Sequence, residues 1–323
     1  MIIVTGGAGF IGSNFCIEVL NNLPNVDIVI CDIFGSDEKW KNISQLQLHD
    51  IIKPEEIEKF VKSNYDEIEA IVHMGAISAT TERDTNLIIE SNFKFSCLIW
   101  NLCVEYDFKF VYASSAATYG SGENGFKDKF DINYLNKLKP INAYGWSKNL
   151  FDKWAYKNFK KGNSPSVWAG LKFFNVYGPN EGHKGSMKSM VLQSFNQIKL
   201  DAKVDLFKSN SEEYKNGMQL RDFIYVKDCI KIIIWILQKK KFGDILNVGS
   251  GSPRSFNDLV KCSFNALKVK PNIEYIDMPN SLLDQYQNYT KADISKLRDY
   301  GYVDEFLSIE DGILEYITNY LEK

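Results

Sequence analysis

The chain has 323 residues, 45% of them hydrophobic and 24% charged, with a net charge of -3. That length is ample for a large core, either one extended α/β domain or a nucleotide domain with a smaller partner, and the near-balanced charge argues against a nucleic-acid or membrane-surface binder. The six cysteines form no C-x-x-C pair and no zinc spacing, so they read as apolar core residues of a reducing compartment. The longest apolar run, Ile232 to Leu237, is too short to span a bilayer and a strand begins at residue 2, so the expected location is the cytoplasm.

The first apolar run, Ile2-Ile-Val-Thr5, leads into glycines at 6, 9 and 12. A strand that turns into a helix with this spacing cradles a pyrophosphate: the backbone comes close, and the helix aims its free N–H groups and positive dipole end at the phosphates. Gly6 is assigned the tight turn, Gly9 the close approach and Gly12 the packing of helix on strand, with Phe10 and Ile11 in the same turn. The spacing is G-x-x-G-x-x-G, where G-x-G-x-x-G is more usual, so context carries the reading. A helical stretch around 13–22 supplies part of it. The next apolar run, Asp27-Ile-Val-Ile-Cys-Asp32, ends in an acid about 20 residues past the last glycine, where a βαβ unit places its ribose-binding carboxylate, with Ile33 beside it.

Further apolar runs at 70–74, 109–113 and 168–174 alternate with helical patterns around 54–63, 86–104 and 146–159. This βαβα rhythm predicts a doubly wound parallel sheet, a Rossmann fold covered on both faces. Beyond residue 175 it breaks into loops, a short strand at 204–207, an irregular segment from Ser209 to Met218, strand-like runs at 222–226 and 245–248, and a helix from Ile230 to Leu237. The predicted division is a dinucleotide domain over 1–174, with 222–248 returning to it, and a smaller α/β substrate domain over 175–221 and 249–323. The substrate pocket is expected between the two.

Tyr144-Gly-Trp-Ser-Lys148 puts a tyrosine and a lysine at i and i+4, on one side of a helix. An isolated phenol titrates at about 10, and an ammonium beside it favours the phenolate, which makes the pair a candidate base. Val111-Tyr-Ala-Ser-Ser115 offers a hydroxyl at the carboxyl end of a central strand, with Ser115 preferred over Ser114. Together the glycine cradle, the strand-end serine and Y-x-x-x-K resemble the extended short-chain dehydrogenase/reductase superfamily over essentially the whole chain. The resemblance implies that Lys148 also holds the nicotinamide ribose and that Asn92 and Val176 lie near the cofactor. It also implies that the turn His73 to Ser78, with Met74, Gly75, Ala76 and Ser78, covers the cofactor's other side.

Four segments carry a narrower likeness: Met74 to Glu82, Phe174 to Met187, Arg221 to Val226 and Tyr286 to Asp293. They are similar to the ADP-glyceromanno-heptose 6-epimerases of bacterial lipopolysaccharide synthesis, and Glu181-Gly-His-Lys-Gly-Ser-Met187 is the most specific of them. This resemblance implies inversion of a nucleotide-activated heptose at C6, from ADP-D-glycero-D-manno-heptose to ADP-L-glycero-D-manno-heptose. A C–H beside a plain hydroxyl is not acidic enough for direct proton removal, whereas transient oxidation to a 6-ketone lets the hydride return to the opposite face. Two acid/base groups, one for each epimer, are assigned by resemblance to Tyr144 and Lys184; a lysine in that role needs a lowered pKa, which burial provides. The sugar nucleotide is placed on Ser115, Asn175, Ser186, Gln193, the segment Phe207, Lys208, Ser209 and Asn210, and on Arg221 and Tyr286, the Arg221 fork being suited to a diphosphate. Gln193 stands where the family leads one to expect histidine, and the loop Ser209 to Gln219 is longer than usual there.

Asp32 on its own argues for NAD, because a carboxylate accepts from the ribose 2′-OH and repels a 2′-phosphate. The heptose family nonetheless usually carries NADP with an acid here and a lysine a few residues on, matched by Lys39, so NADP is the expected cofactor and NAD the alternative. No metal is expected, since His73 and His183 have no partners at ligand spacing and are assigned structural roles. A homo-oligomer is expected, pentameric on the family's precedent, with no nucleic acid and no membrane partner. Other readings are a sugar-nucleotide 4-epimerase, a 4,6-dehydratase or a dinucleotide sensor. A dehydratase would place an Asp-Glu pair where Ala116-Ala117 stand, and a sensor would not need both Tyr144 and Lys148.

Overall fold

The computed structural model describes residues 1–323 except 24, 37 and 280–285. Strands β1 (Ile2–Thr5), β2 (Ile28–Cys31), β3 (Asp50–Ile52), β4 (Ala70–His73), β5 (Lys109–Ser115) and β6 (Val167–Phe173) join a later strand, Phe242–Val248, in one seven-stranded sheet. Its order is Phe242–Val248, β6, β5, β4, β1, β2, β3, and every neighbouring pair is parallel.

Helices on both faces explain why the central strands read as unbroken apolar runs: neither of their sides meets water. Val4, Ile30, Val72 and Val111 pack with Phe15 and Val19 of helix Phe10–Asn22 and Ile230 and Ile233 of helix Val226–Leu237. Ile3, Val29, Ile71 and Phe110, one residue out of phase, pack with Ile99 and Trp100 of helix Phe95–Tyr106 and Phe151 of helix Ala143–Lys160. The two-residue alternation of a strand thus divides one apolar sequence between two cores.

Strand order reverses between β1 and β4, and a sheet of this kind opens its ligand crevice at that reversal. The glycine turn follows β1, and the turn from Met74 follows β4. A third core, built by Val191, Ile198, Val204, Leu259, Phe264 and Ile313, lies beyond the carboxyl ends of the strands and reaches Phe10, Tyr177 and Tyr225.

Two local features differ from the sequence expectation. β3 was not anticipated, because it is a three-residue edge strand with Asp50 and Ile51 exposed, so it lacks the apolar run of a central strand. The helix expected over 86–104 spans Thr85–Tyr106 with a π-turn over Ile89–Lys94. This span is long and apolar enough to cross a bilayer, which the shorter run Ile232 to Leu237 did not foreshadow; here its Ile99, Trp100 and Cys103 are fully covered. The six cysteines are free, and all but the partly exposed Cys97 are buried.

Candidate active site

A cleft of about 650 Å³ runs from the glycine turn, past the ends of β4 and β5, to the third core. Gly6 has φ +64, and a Cβ there would stand 2.6 Å from Gly75 Cα; a Cβ on Gly12 would stand 2.3 Å from the Gly6 carbonyl oxygen. Only glycine fits at either place, because the left-handed turn and the helix–strand approach leave no room. The helix that follows is entered through Gly9 with no side-chain cap, so its first N–H groups are open to a ligand. These observations fit a dinucleotide pyrophosphate. Gly6, Gly9, Phe10, Ile11, Gly12, Met74, Gly75, Ala76, Ser78 and Val176 all line the cleft.

Asp32 and Lys39 also line it, and they pair at 2.9 Å. The second Asp32 oxygen accepts from Ala8 N at 2.9 Å, which ties the β2 end to the glycine turn. Ile33 is 65% exposed and outside the cleft, its N–H bonded back to Asp32 Oδ1. Asn92 requires a correction as well: it does not line the cleft but is buried in the π-turn. Its amide exchanges hydrogen bonds with Ile77 N and O and donates to Ser147 Oγ at 3.1 Å. It therefore bears on the cofactor site through the Met74–Ser78 turn.

Ser115, Tyr144 and Lys148 all line the cleft. Helix Ala143–Lys160 is started by Asn142, whose side chain accepts from Gly145 N, and Gly145 is needed there because a Cβ would stand 2.6 Å from the Ala117 carbonyl oxygen. That contact brings Tyr144 against β5, beside Ser115. Ser114 instead turns away and donates to Asp152 at 2.8 Å. Lys148 Nζ lies 5.9 Å from the Tyr144 ring centre. Burial raises the Tyr144 pKa and Ser115 opposes this, while burial draws Lys148 down to about 8 against the pull of Asp152. In the protein alone the phenol's pKa is thus raised, where the lysine pairing led one to expect it lowered, because desolvation outweighs the opposing influence of Ser115.

Lys184 lines the same cleft from the 3-10 turn Gly182–Met187, with its Nζ 5.2 Å from the Phe10 ring centre. Burial lowers its pKa, and Glu181 pulls the other way. Glu181 is fully buried and went unnoticed as more than part of a motif. It accepts from Ser189 N, from Ser189 Oγ at 2.6 Å and from Gly178 N at 3.4 Å, so it clamps both ends of the turn that carries Lys184. His183 lines the cleft, where a purely structural role was expected, and meets Asn42 Nδ2 at 3.3 Å; Asn42 also donates to Ala8 O. No sequence pattern marked Asn42. His73 is buried between Thr5 Oγ1 and Ser96 Oγ, at 2.6 and 2.8 Å, and burial holds its pKa down at about 3. No cluster of metal-ligating side chains occurs among the described residues.

The substrate candidates divide. Asn175 faces the cleft beside Thr290, at 3.5 Å. Arg221 is buried outside the cleft lining, its guanidinium 5.6 Å from the Phe256 ring and 5.2 Å from the Tyr286 ring, and Phe256 is itself cleft wall. No carboxylate among the described residues pairs with Arg221. Asp222 instead accepts from the backbone N–H groups of Ser250, Gly251 and Ala292. Ser186 is exposed on the Lys184 turn. Gln193 donates to Lys188 O at 2.7 Å and so holds the loop before its own helix. Phe207, Lys208, Ser209 and Asn210 lie outside the cleft lining; Lys208 pairs with Asp277 at 2.9 Å and Ser209 N donates to Asn216.

The chain belongs to the NAD dependent epimerase/dehydratase family, whose description matches residues 2–249. Over its whole length it is 46% identical to the ADP-L-glycero-D-manno-heptose-6-epimerase of Fusobacterium nucleatum, of which the match covers 98%. Among solved structures, the Helicobacter pylori ADP-L-glycero-D-manno-heptose-6-epimerase superposes with a TM-score of 0.80 at 29% identity, covering 98% of this chain and 95% of that one. The dTDP-glucose 4,6-dehydratase of Bacillus anthracis, solved with NAD, shares the fold at 22% identity and a TM-score of 0.80, covering 100% and 96%. Within the family, this chain's branch is that of the heptose-6-epimerases, and it is a sugar-nucleotide epimerase that works with a nicotinamide dinucleotide.

Proposed function

We propose that the protein inverts C6 of ADP-D-glycero-D-manno-heptose to give the L-glycero epimer, through a 6-ketone and with NADP retained throughout, in the cytoplasm and for lipopolysaccharide core synthesis. The observation that carries this reading is the pair of candidate acid/base groups that line one cleft, Tyr144 beside Ser115 and Lys184 over the Phe10 ring. The dinucleotide, when bound in the glycine cradle, supplies the hydride acceptor and donor. Epimers present their hydroxyls to opposite sides, so each needs its own proton acceptor. Tyr144 takes the hydroxyl proton on one side, with Ser115 orienting it and the Lys148 ammonium favouring its phenolate. Lys184 takes the proton on the other, its basicity reduced by burial to suit the task.

Ala116 and Ala117 line the cleft where a dehydratase would need a carboxyl group to protonate a leaving hydroxyl, which favours epimerisation. Arg221, cationic and with no carboxylate partner among the described residues, suits a diphosphate. The compensation of Asp32 by Lys39 supports NADP over NAD. An assembly of several copies, pentameric in the family's manner, is part of the same proposal.

Incubation with ADP-heptose and, separately, with UDP-hexoses tests the function. Turnover of the heptose alone is expected; turnover confined to a UDP-hexose would make it a 4-epimerase.

A further inference from the structure

Behind Ser115 and Tyr144 lies a polar cluster that no step above uses. Asp152 and Lys172 pair at 2.6 Å, with side chains 0% and 1% exposed. Asp152 follows Lys148 by one helical turn, so Tyr144, Lys148 and Asp152 recur on one helix face. Its carboxylate accepts from Tyr112 OH at 3.0 Å and Ser114 Oγ at 2.8 Å, both on β5. Lys172, on β6, also donates to Thr118 Oγ1 at 2.7 Å, and the Thr118 hydroxyl donates to the Ser115 carbonyl at 2.8 Å. Its ammonium lies 5.1 Å from the Tyr119 ring centre, and Tyr119 OH donates to Asn247 on the next strand at 2.6 Å.

A buried ion pair is weak support for stability, because desolvation offsets its attraction and an apolar pair of similar size often serves as well. Its connections, rather than its energy, distinguish this one. We propose that Asp152 and Lys172 form a positioning pair that holds the helix of Tyr144 and Lys148 in register with the strand end of Ser115. The same carboxylate supports the proton on Lys148 against burial, which draws that ammonium down to about 8. The other titratable groups around Lys148 are Tyr144 and His73, and His73 is neutral.

The inference rests on Tyr144 and Lys148 being the acid/base pair. Its test is the double variant Asp152→Asn with Lys172→Met, which removes both charges at nearly constant volume. In folded, dinucleotide-loaded protein, kcat for ADP-heptose is expected to fall about tenfold while KM stays within about twofold. The alkaline limb of kcat is expected to move down by about one pH unit as Lys148 loses its proton more readily. A wild-type kcat and an unmoved alkaline limb in that variant overturn the proposal. Should the double variant not fold, Asp152→Glu, which keeps the charge and lengthens the link, decides: a severalfold loss of kcat at constant KM supports the pair, and a wild-type kcat overturns it. Tyr144→Phe separates this from failure of the underlying reading, since an active Tyr144→Phe removes the acid/base assignment itself.

Discussion

Lys39 holds its ammonium 2.9 Å from the Asp32 carboxylate, with both side chains mostly buried, at 15% and 8% exposure. An acid at the end of β2 would by itself repel a 2′-phosphate, whereas an acid already paired with a lysine leaves a site close to neutral there. Lys39→Ala is therefore expected to weaken NADP by about tenfold or more and to leave NAD within a few-fold. The dinucleotide released on denaturing wild type and variant reads this directly. NAD alone from the wild type would refute the NADP assignment.

Tyr144→Phe removes the hydroxyl beside Ser115 and leaves the ring in place. Epimerisation is expected to slow by about 10²-fold to 10⁴-fold, with the dinucleotide still bound. Rates measured with a single ADP-heptose epimer in each direction check it, and unchanged rates would take Tyr144 out of the mechanism.

Lys148 carries a stability consequence with a definite sign. Burial draws its pKa from the ordinary 10.5 to about 8, so between those values the unfolded chain binds more protons than the folded one. Stability of the dinucleotide-free protein therefore rises with pH across that window, and below it the buried ammonium is destabilising. Lys148→Met is expected to raise neutral-pH stability by up to ~3 kcal/mol while kcat collapses. Thermal unfolding at neutral and alkaline pH measures the first, and the gain should shrink as pH rises.

Lys184→Met is expected to lower kcat by about 10²-fold without loss of bound dinucleotide. Glu181→Ala acts on the same turn differently. It strips the acceptor from Ser189 N, Ser189 Oγ and Gly178 N, and is expected to cost about 2–4 kcal/mol of stability and to lower kcat by loosening the turn. A Glu181→Ala protein with wild-type melting would disprove the clamp.

Arg221→Lys keeps the charge and gives up the planar fork held between Phe256 and Tyr286. KM for the nucleotide sugar is expected to rise about tenfold, with kcat changed less. An unaltered KM would place the diphosphate elsewhere.

The legible part of this protein lies where local chemistry and fold coincide. Unbroken apolar runs in β1, β2, β4, β5 and β6 announced a sheet covered on both faces, and Gly6 and Gly12 sit where any side chain would collide with backbone. Edge strand β3 escaped because an edge needs no apolar run. Asn92 was placed near the cofactor by likeness, but its π-turn directs its amide at Ile77 and Ser147.

Periodicity and motif spacing settled which elements form and which residue types can carry the chemistry, since both depend on neighbours along the chain. The partners of those residues depended on contacts across it. Asn42 links Ala8 to His183, Glu181 ties the Lys184 turn to Gly178 and Ser189, and Asp152 meets Lys172 from another element. None of these pairs has a signature in local sequence, because each exists only once packing has removed water and made an unpaired polar group too unfavourable to leave alone.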